Sequence, residues 1–587
     1  MQNLFDKASL VMVPSGYDNG KLYNIKPEDK GSAFEFERAT MATRVNSSGL
    51  VETMFPEATN LLLQSNNFDT SPWASISSDE TGGQEGYDGT NDAWEVTTTS
   101  STGSLYQLNT DSGVQTFSVY AKSDGSTGLR MYAFGDANAN AYFNLNTGAV
   151  VTSSNTITSN IENVGGGWYK CSITFNQTNT VLRFYTTNNT TTQIAGTIYI
   201  QDAQLESGHF ATPYIDTTTQ TVTRQNQANQ PRIDYTSGEG ALLLEPQRTN
   251  EYLNSNDFSL WYTDASVTST ANQLASPDGN INATLMSVTN SGRIYYDPTI
   301  STTADRVLSI FIKGGTFNHF RVGLIGSVAL VDLINETSSI GDINSIGNGW
   351  YRVSLPPTSV SSTSRRAQIQ AYPNNTYTNS HGQSGTYYIY GAQLEQGSYP
   401  TSYIPTNGQE ETRAGDVCGT GGYDSVFNNS QGTLYMEFKS PTSGNSSAWI
   451  NLSSGTDTDD WLFFGKDQDR LRVYLKQNNV LETSDTSTIL PTNFAKTSVT
   501  YNTSSFKLNL DGVEIFDKNI SPNFANNLDT LSFGSTTSTP LPEKIEVKTL
   551  CYFPEALTDE ELQRLTSPSA DATTFTELAN NNGYTIL

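Results

Sequence analysis

Histidine and cysteine are almost missing from this chain, with three of each in 587 residues. His209, His319 and His381 supply too little material for a Ser/His/Asp triad or a histidine metal site, and each reads as a structural or surface residue. Cys171, Cys418 and Cys551 are odd in number, widely spaced and without CxxC spacing, so they read as buried free thiols rather than as a disulfide framework or a zinc finger. Basic residues are scarce too. The 32 Lys and Arg against 59 Asp and Glu leave a net charge of −27, which repels a nucleic-acid backbone. No apolar run approaches the ~18 residues of a membrane span. Met1 to Pro14 lacks the basic and apolar regions of a signal peptide, so neither membrane insertion nor a secretion signal is expected. No glycine loop leads into Lys-Ser or Lys-Thr, and Gly165-Gly166-Gly167 opens a strand rather than a phosphate-cradling helix.

What is present is Thr, Ser, Asn, Gly and Tyr in nearly every segment, with 16% charged and 35% hydrophobic residues, the composition of β-sandwiches with many turns. One long unit is written twice at an offset of about 190 residues. Thr59-Asn60, Ser65-Asn66-Asn67-Phe68 and Trp73 return as Thr249-Asn250, Ser255-Asn256-Asp257-Phe258 and Trp261. Ser118-Val119-Tyr120-Ala121-Lys122 returns as Ser309-Ile310-Phe311-Ile312-Lys313, and Gly167-Trp168-Tyr169-Lys170 as Gly349-Trp350-Tyr351-Arg352. Both copies close alike, with Ala203-Gln204-Leu205-Glu206 and Thr223-Arg224 matching Ala392-Gln393-Leu394-Glu395 and Thr412-Arg413. Within a copy, Phe117, Val119 and Ala121 alternate with Ser118, Tyr120 and Lys122, the pattern of a sheet with one buried side.

The expected fold is therefore all-β and multi-domain: tandem antiparallel jelly-roll β-sandwiches with almost no helix. Five pieces follow: an extended N-terminal segment at 1–57, copy 1 at 58–224, a linker with short strands at 225–248, copy 2 at 249–415, and a third sandwich at 416–587. Leader and linker are too short for cores of their own and are expected to add strands to a neighbouring sheet, a neighbouring subunit or a larger particle. The one clear helix signal is Thr558-Asp559-Glu560-Glu561, a capping box ahead of Leu562 and Leu565.

Through the opening Asn/Phe/Trp motif, the Gly-Trp-Tyr and the closing Ala-Gln-Leu-Glu, the two copies resemble the jelly-roll carbohydrate-binding modules appended to polysaccharide-active proteins. Ala39 to Glu52 and Pro231 to Asn250 resemble segments common in phage tail-fibre and virion structural proteins. The segment 416–587, with Phe553-Pro554-Glu555-Ala556-Leu557 running into its helix, is similar to the laminin-G or concanavalin-like lectin fold. These resemblances imply a fibre or decoration subunit on the surface of a phage head or tail, and a homotrimer. They imply partners in a glycan on a host cell or in its surroundings and in other virion proteins held by residues 1–57. They also imply a structural calcium, for which Asp202 is the candidate in copy 1, whereas copy 2 has Gly391 at that position.

Sugar recognition needs aromatic platforms flanked by polar side chains. With Trp168 and Trp350 assigned to the cores, the candidates are Tyr185 with Asn188, Tyr372 with Asn374, and Trp461 with Asp459. The last pair lies in Asp457 to Trp461, which also reads as a solvated turn. Carboxylates are plentiful, but no Glu-x-Asp-x-x-Glu strand motif of the concanavalin-like glucanases is present, so no enzyme is expected. The leading expectation is adhesion through multivalent lectin-like modules. A connector without ligand binding and a glycan depolymerase are the alternatives.

Overall fold

A computed structural model describes residues 2–581 apart from 15, 19, 179, 364, 378–381, 442–446, 455–459, 523, 525, 526, 535–540 and 569–574. The chain is all-β and built of antiparallel sandwiches. Among the described residues the α-helices are short: Gln2–Lys7, Asp559–Thr566 and Phe575–Asn581. The Thr558 capping box is formed in both directions, Glu561 N–H donating to Thr558 Oγ1 and Thr558 N–H to Glu561 Oε2.

In copy 1, Gly113–Ser123, Trp168–Gln177 and Gly196–Ser207 centre one sheet, while Gly128–Phe134, Ala139–Asn144 and Thr180–Thr187 centre the other. Phe117, Val119, Ile173, Leu129, Met131 and Phe184 fill the space between them. Copy 2 repeats this around Ala304–Gly314 and Ser384–Gln396 on one side and His319–Leu324 and Ala367–Tyr372 on the other. Buried polar side chains repeat with the backbone they serve. Asn60 Nδ2 donates to the Ala203 and Ile215 carbonyls at 3.3 and 2.8 Å, and Asn250 Nδ2 to those of Ala392 and Ile404 at 3.2 and 2.8 Å. A buried amide that closes two chain segments cannot be replaced without orphaning carbonyls, which is why these positions are spelled alike.

The two copies meet edge to edge. Asn163 of copy 1 pairs with Ile281 of copy 2, joining their larger sheets, and Asn272 Nδ2 donates across the seam to the Gly148 and Ile161 carbonyls.

Leader and linker are folded, which corrects the reading of 1–57 as an extended segment. Leu10–Met12 pairs with Ile545–Phe553, and Phe34–Glu37 pairs with Val417–Gly421, so both are strands of the C-terminal sandwich. From the linker, Arg232–Asp234 pairs with Ala241–Leu244, which pairs in turn with Ile545–Phe553. A matching hairpin, Ala42–Val45 with Val51–Met54, precedes copy 1 but lies against copy 2, where Val51 joins Phe311, Trp350, Tyr390 and Tyr403. The apolar faces of these short hairpins are covered by modules remote in sequence, Ile233, Leu242 and Leu244 by the C-terminal sandwich and Val51 by copy 2.

A fully buried charge cluster closes the junction. Arg38 reaches Asp416 at 2.9 Å, Arg232 reaches Glu245 at 2.8 Å and also Asp416, and Arg413 reaches Glu245 at 2.7 Å. Ser402 Oγ donates to Glu245 Oε2 at 2.7 Å. Leader, linker, copy 2 and C-terminal sandwich each supply at least one member.

Candidate functional site

In each repeated module the smaller sheet has one buried side and one side turned outward. Along Gly128–Phe134 the burial alternates, so Leu129, Met131 and Ala133 point into the core while Arg130, Tyr132 and Phe134 point out. Register brings partners to the same outer face: Arg130 lies opposite Tyr142 and Tyr185, Tyr132 opposite Arg183, and Arg183 opposite Tyr106. The Arg130 guanidinium sits 4.4, 5.0 and 5.3 Å from the rings of Tyr132, Tyr142 and Tyr185, and that of Arg183 sits 5.0 Å from the Tyr106 ring. Phe134 and Leu108 on this face are 48% and 67% exposed. The result is an open platform of tyrosine rings interleaved with guanidinium and amide groups, including Asn140 and Gln193.

Copy 2 builds its own version. Arg321 occupies the place of Arg130, opposite Gln370 and Leu330, and Tyr295 the place of Tyr106, opposite Gln368. Asp264, Arg293, Arg321, Gln368 and Gln370 line a groove of about 330 Å³. At its side the rings of Tyr262 and Tyr295 stack at 5.2 Å, with the Arg366 guanidinium 4.1 Å from the latter.

Of the residues expected from the sequence, Tyr185 is on the copy 1 platform, half-buried against Arg130. Asn188 is exposed and accepts hydrogen bonds from Thr190, shaping its own turn, and Asn374 does the same for Thr376. Tyr372 corrects the reading: it is fully buried, its hydroxyl donating to Gln370 Oε1 at 2.8 Å, so its ring offers no platform. Trp461 is half-buried and stacked 4.3 Å from Phe463, and Asp459 lies outside the described residues. Arg130, Arg183, Tyr132 and Tyr106 were not anticipated. Their signal is the period of two in Arg130-Met131-Tyr132-Ala133-Phe134 and Arg183-Phe184-Tyr185, a polar-aromatic face alternating with an apolar one.

Asp202, the calcium candidate of copy 1, is tied into its own module. It is buried at a bulge between its strand and Gly113–Ser123, with φ +57°, and its carboxyl accepts from the Tyr87 hydroxyl at 2.9 Å. Gly391, its copy 2 counterpart, has φ +60° at the same kind of bulge, so backbone conformation explains the exchange of Asp for Gly. Among the described residues no group of three or more His, Cys, Asp or Glu could hold a metal ion.

Burial pushes the Asp202 carboxyl up to about 7, with Asp92 and Asp88 adding to it. A carboxyl raised in the folded state favours the protonated form. Its contribution is therefore complete below the unfolded value of about 4 and is lost as pH rises through 7. Copy 1 should unfold at a lower temperature at pH 8 than at pH 5, and Asp202→Asn should lessen that difference. Glu162, which burial also pushes up to about 7, retains part of it. Scanning calorimetry at the two pH values checks this, and identical slopes for parent and variant would count against it.

No protein-family model and no curated protein matches the chain. Among solved structures it is similar to domain 4 of an extracellular arabinanase from Geobacillus stearothermophilus in complex with arabinotriose, at 16% identity over 26% of this chain and 73% of that one, TM-score 0.22. It is also similar to the NanB sialidase from Streptococcus pneumoniae, at 13% identity over 26% of this chain and 27% of that one, TM-score 0.22. A third similarity is to the receptor-binding domain of botulinum neurotoxin mosaic serotype C/D, at 15% identity over 25% and 38% of the two chains, TM-score 0.21. The chain spans well under two thirds of the length of the last two.

Proposed function

We propose that this chain binds glycans through the outer faces of its two repeated modules, without altering them chemically, and does so on the surface of a phage particle. The observation that carries the binding is the copy 1 platform, where tyrosine rings and polar groups from four strands share one open face at positions that copy 2 repeats in its own residues. Rings cover the apolar C–H side of a sugar while guanidinium and amide groups meet its hydroxyl rim. Two faces on one chain, multiplied in an oligomer such as a trimer, raise avidity without new contacts.

Binding without catalysis is supported by the carboxylates of these faces. A glycosidase needs two acidic groups about 5 to 10 Å apart and free to act. Asp264 and Asp297 of copy 2 are instead engaged by Arg293 and Arg366 at 3.6 and 2.8 Å. The placement on a virion rests on the resemblance of leader and linker to phage structural segments. The buried cluster that ties four segments together favours a second reading, a connector that only joins or covers.

A glycan array separates these readings. Tyr132→Ala with Tyr185→Ala should weaken binding of the intact chain at least about tenfold, or ~1.4 kcal/mol, with little change in melting temperature. No bound glycan would favour the connector, and release of reducing ends from a bound glycan would reveal a depolymerase. Antibody fragments against residues 416–587, viewed on phage particles by cryo-electron microscopy, test the placement, and particles without label would refute it.

A further inference from the structure

The two faces differ in where their charge is neutralised. In copy 2, Arg366 holds Asp297 through two hydrogen bonds of 3.0 and 2.8 Å, and Arg293 lies 3.6 Å from Asp264. Register shows what stands at those places in copy 1. Tyr106 corresponds to Tyr295, so Leu108, two residues on, corresponds to Asp297. Ala74 lies opposite Tyr106 as Tyr262 lies opposite Tyr295, so Ile76 corresponds to Asp264. Both internal carboxylates of copy 2 are thus aliphatic side chains in copy 1, 67% and 42% exposed.

The arginines of these two pairs are replaced as well, Ser104 standing for Arg293 and Val181 for Arg366, and copy 1 carries two arginines elsewhere on that face, Arg130 where copy 2 has Arg321 and Arg183 where it has Gln368. Arg130 and Arg183 are diagonal neighbours on adjacent strands, within reach of one small ligand group. Among the described residues, their side-chain hydrogen-bond partners are Gln193 at 3.2 Å, Asn140 at 3.4 Å and the Tyr185 hydroxyl at 3.4 Å, and none is a carboxylate. The Nε of each is buried without a partner. Copy 2 pairs its Arg293 and Arg366 with carboxylates of its own, whereas in copy 1 aromatic rings flank the two guanidinium groups and no carboxylate is among their hydrogen-bond partners in the described residues.

We infer that the copy 1 face takes a carboxylate-bearing sugar, a uronate residue within a polysaccharide. Its carboxylate bridges Arg130 and Arg183, and its apolar side rests on Tyr132, Phe134 and Leu108. A planar guanidinium matches a carboxylate through paired, charge-assisted hydrogen bonds. Copy 2, with Gln368 in the place of Arg183, has no such arginine pair and takes no such group. This rests on the glycan-binding reading above and names its ligand class.

The test uses the full chain and measures binding to immobilised polygalacturonate, with neutral galactan as comparator. Arg130→Gln and Arg183→Gln should each weaken polygalacturonate binding at least about tenfold, and together abolish it, with an unchanged thermal midpoint confirming the fold. Arg130→Lys, which keeps the charge but not the fork, should retain part of the binding. Arg564→Gln, which removes a charge from the C-terminal helix, should leave it intact. Polygalacturonate bound equally by the double variant would overturn the inference. Binding of galactan alone would overturn it while leaving the glycan-binding reading standing, and binding of no glycan on the array would overturn both.

Discussion

A chain that begins at residue 42 is expected to lose the C-terminal sandwich while its two repeated modules stay folded. Leu10, Met12, Leu22, Phe34 and Phe36 are all buried in the C-terminal core, although more than 380 residues separate them from the body of that module. Burying a side chain of this kind contributes about 1.5 to 3 kcal/mol, so five contribute roughly 7 to 15 kcal/mol as an upper bound. That matches the whole stability of an ordinary domain, about 5 to 15 kcal/mol. Removal would also leave Ile545–Phe553 and Val417–Gly421 without their outer strand partners, exposing edges that invite aggregation. Limited proteolysis with mass spectrometry distinguishes the outcomes: rapid cleavage beyond residue 416 is expected, with protection of residues 58 to 415. Equal protection on both sides of residue 416 would mean that the leader is dispensable.

Breaking the buried cluster should be the most costly single substitution. Asp416→Ala leaves Arg38 and Arg232 buried without their shared carboxylate, and removing one partner from such a pair costs about 3 to 5 kcal/mol. The loss should appear as a lower unfolding midpoint for the C-terminal sandwich and copy 2, because Glu245, Ser402 and Arg413 belong to the same network. The pH sign follows from Glu245. Burial opposes its ionisation, but Arg413 and Arg232 prevail and hold its carboxyl well below the usual range. Its contribution is complete above the unfolded value of about 4.5 and is lost as pH falls below it. An unfolding free energy for Asp416→Ala within about 1 kcal/mol of the parent would show that the cluster is solvated, contrary to its burial.

Copy 1 shows that this cluster is specific to its junction. The amide of Gln227 donates to the Phe55 carbonyl just as that of Asp416 donates to Glu245, so the same backbone closure carries Phe55 and Gln227 where copy 2 carries Glu245 and Asp416. Arg224, the counterpart of Arg413, lies 5.5 Å from the Phe55 ring instead of reaching a carboxylate. The substitution in one copy of a duplicated unit marks where it acquired a new neighbour.

The sequence alone determined the all-β class, the duplication, the turn at Gly165-Gly166-Gly167 and the capped C-terminal helix. These depend on local alternation, on backbone conformation and on buried side chains such as Asn60 and Asn250, whose identity is dictated by the carbonyls they close. It also pointed to Tyr185, as an aromatic ring beside the polar Asn188 where a strand runs into a loop. Only the tertiary structure decided which strands lie side by side. That pairing sets Arg183 beside Tyr132, buries Tyr372, carries the leader into a sandwich formed by the end of the chain, and lets Asp297 and Leu108 be compared as equivalents. The physical reason is that a strand's alternation says which residues share its outer face, whereas the neighbours on that face come from register with strands remote in sequence.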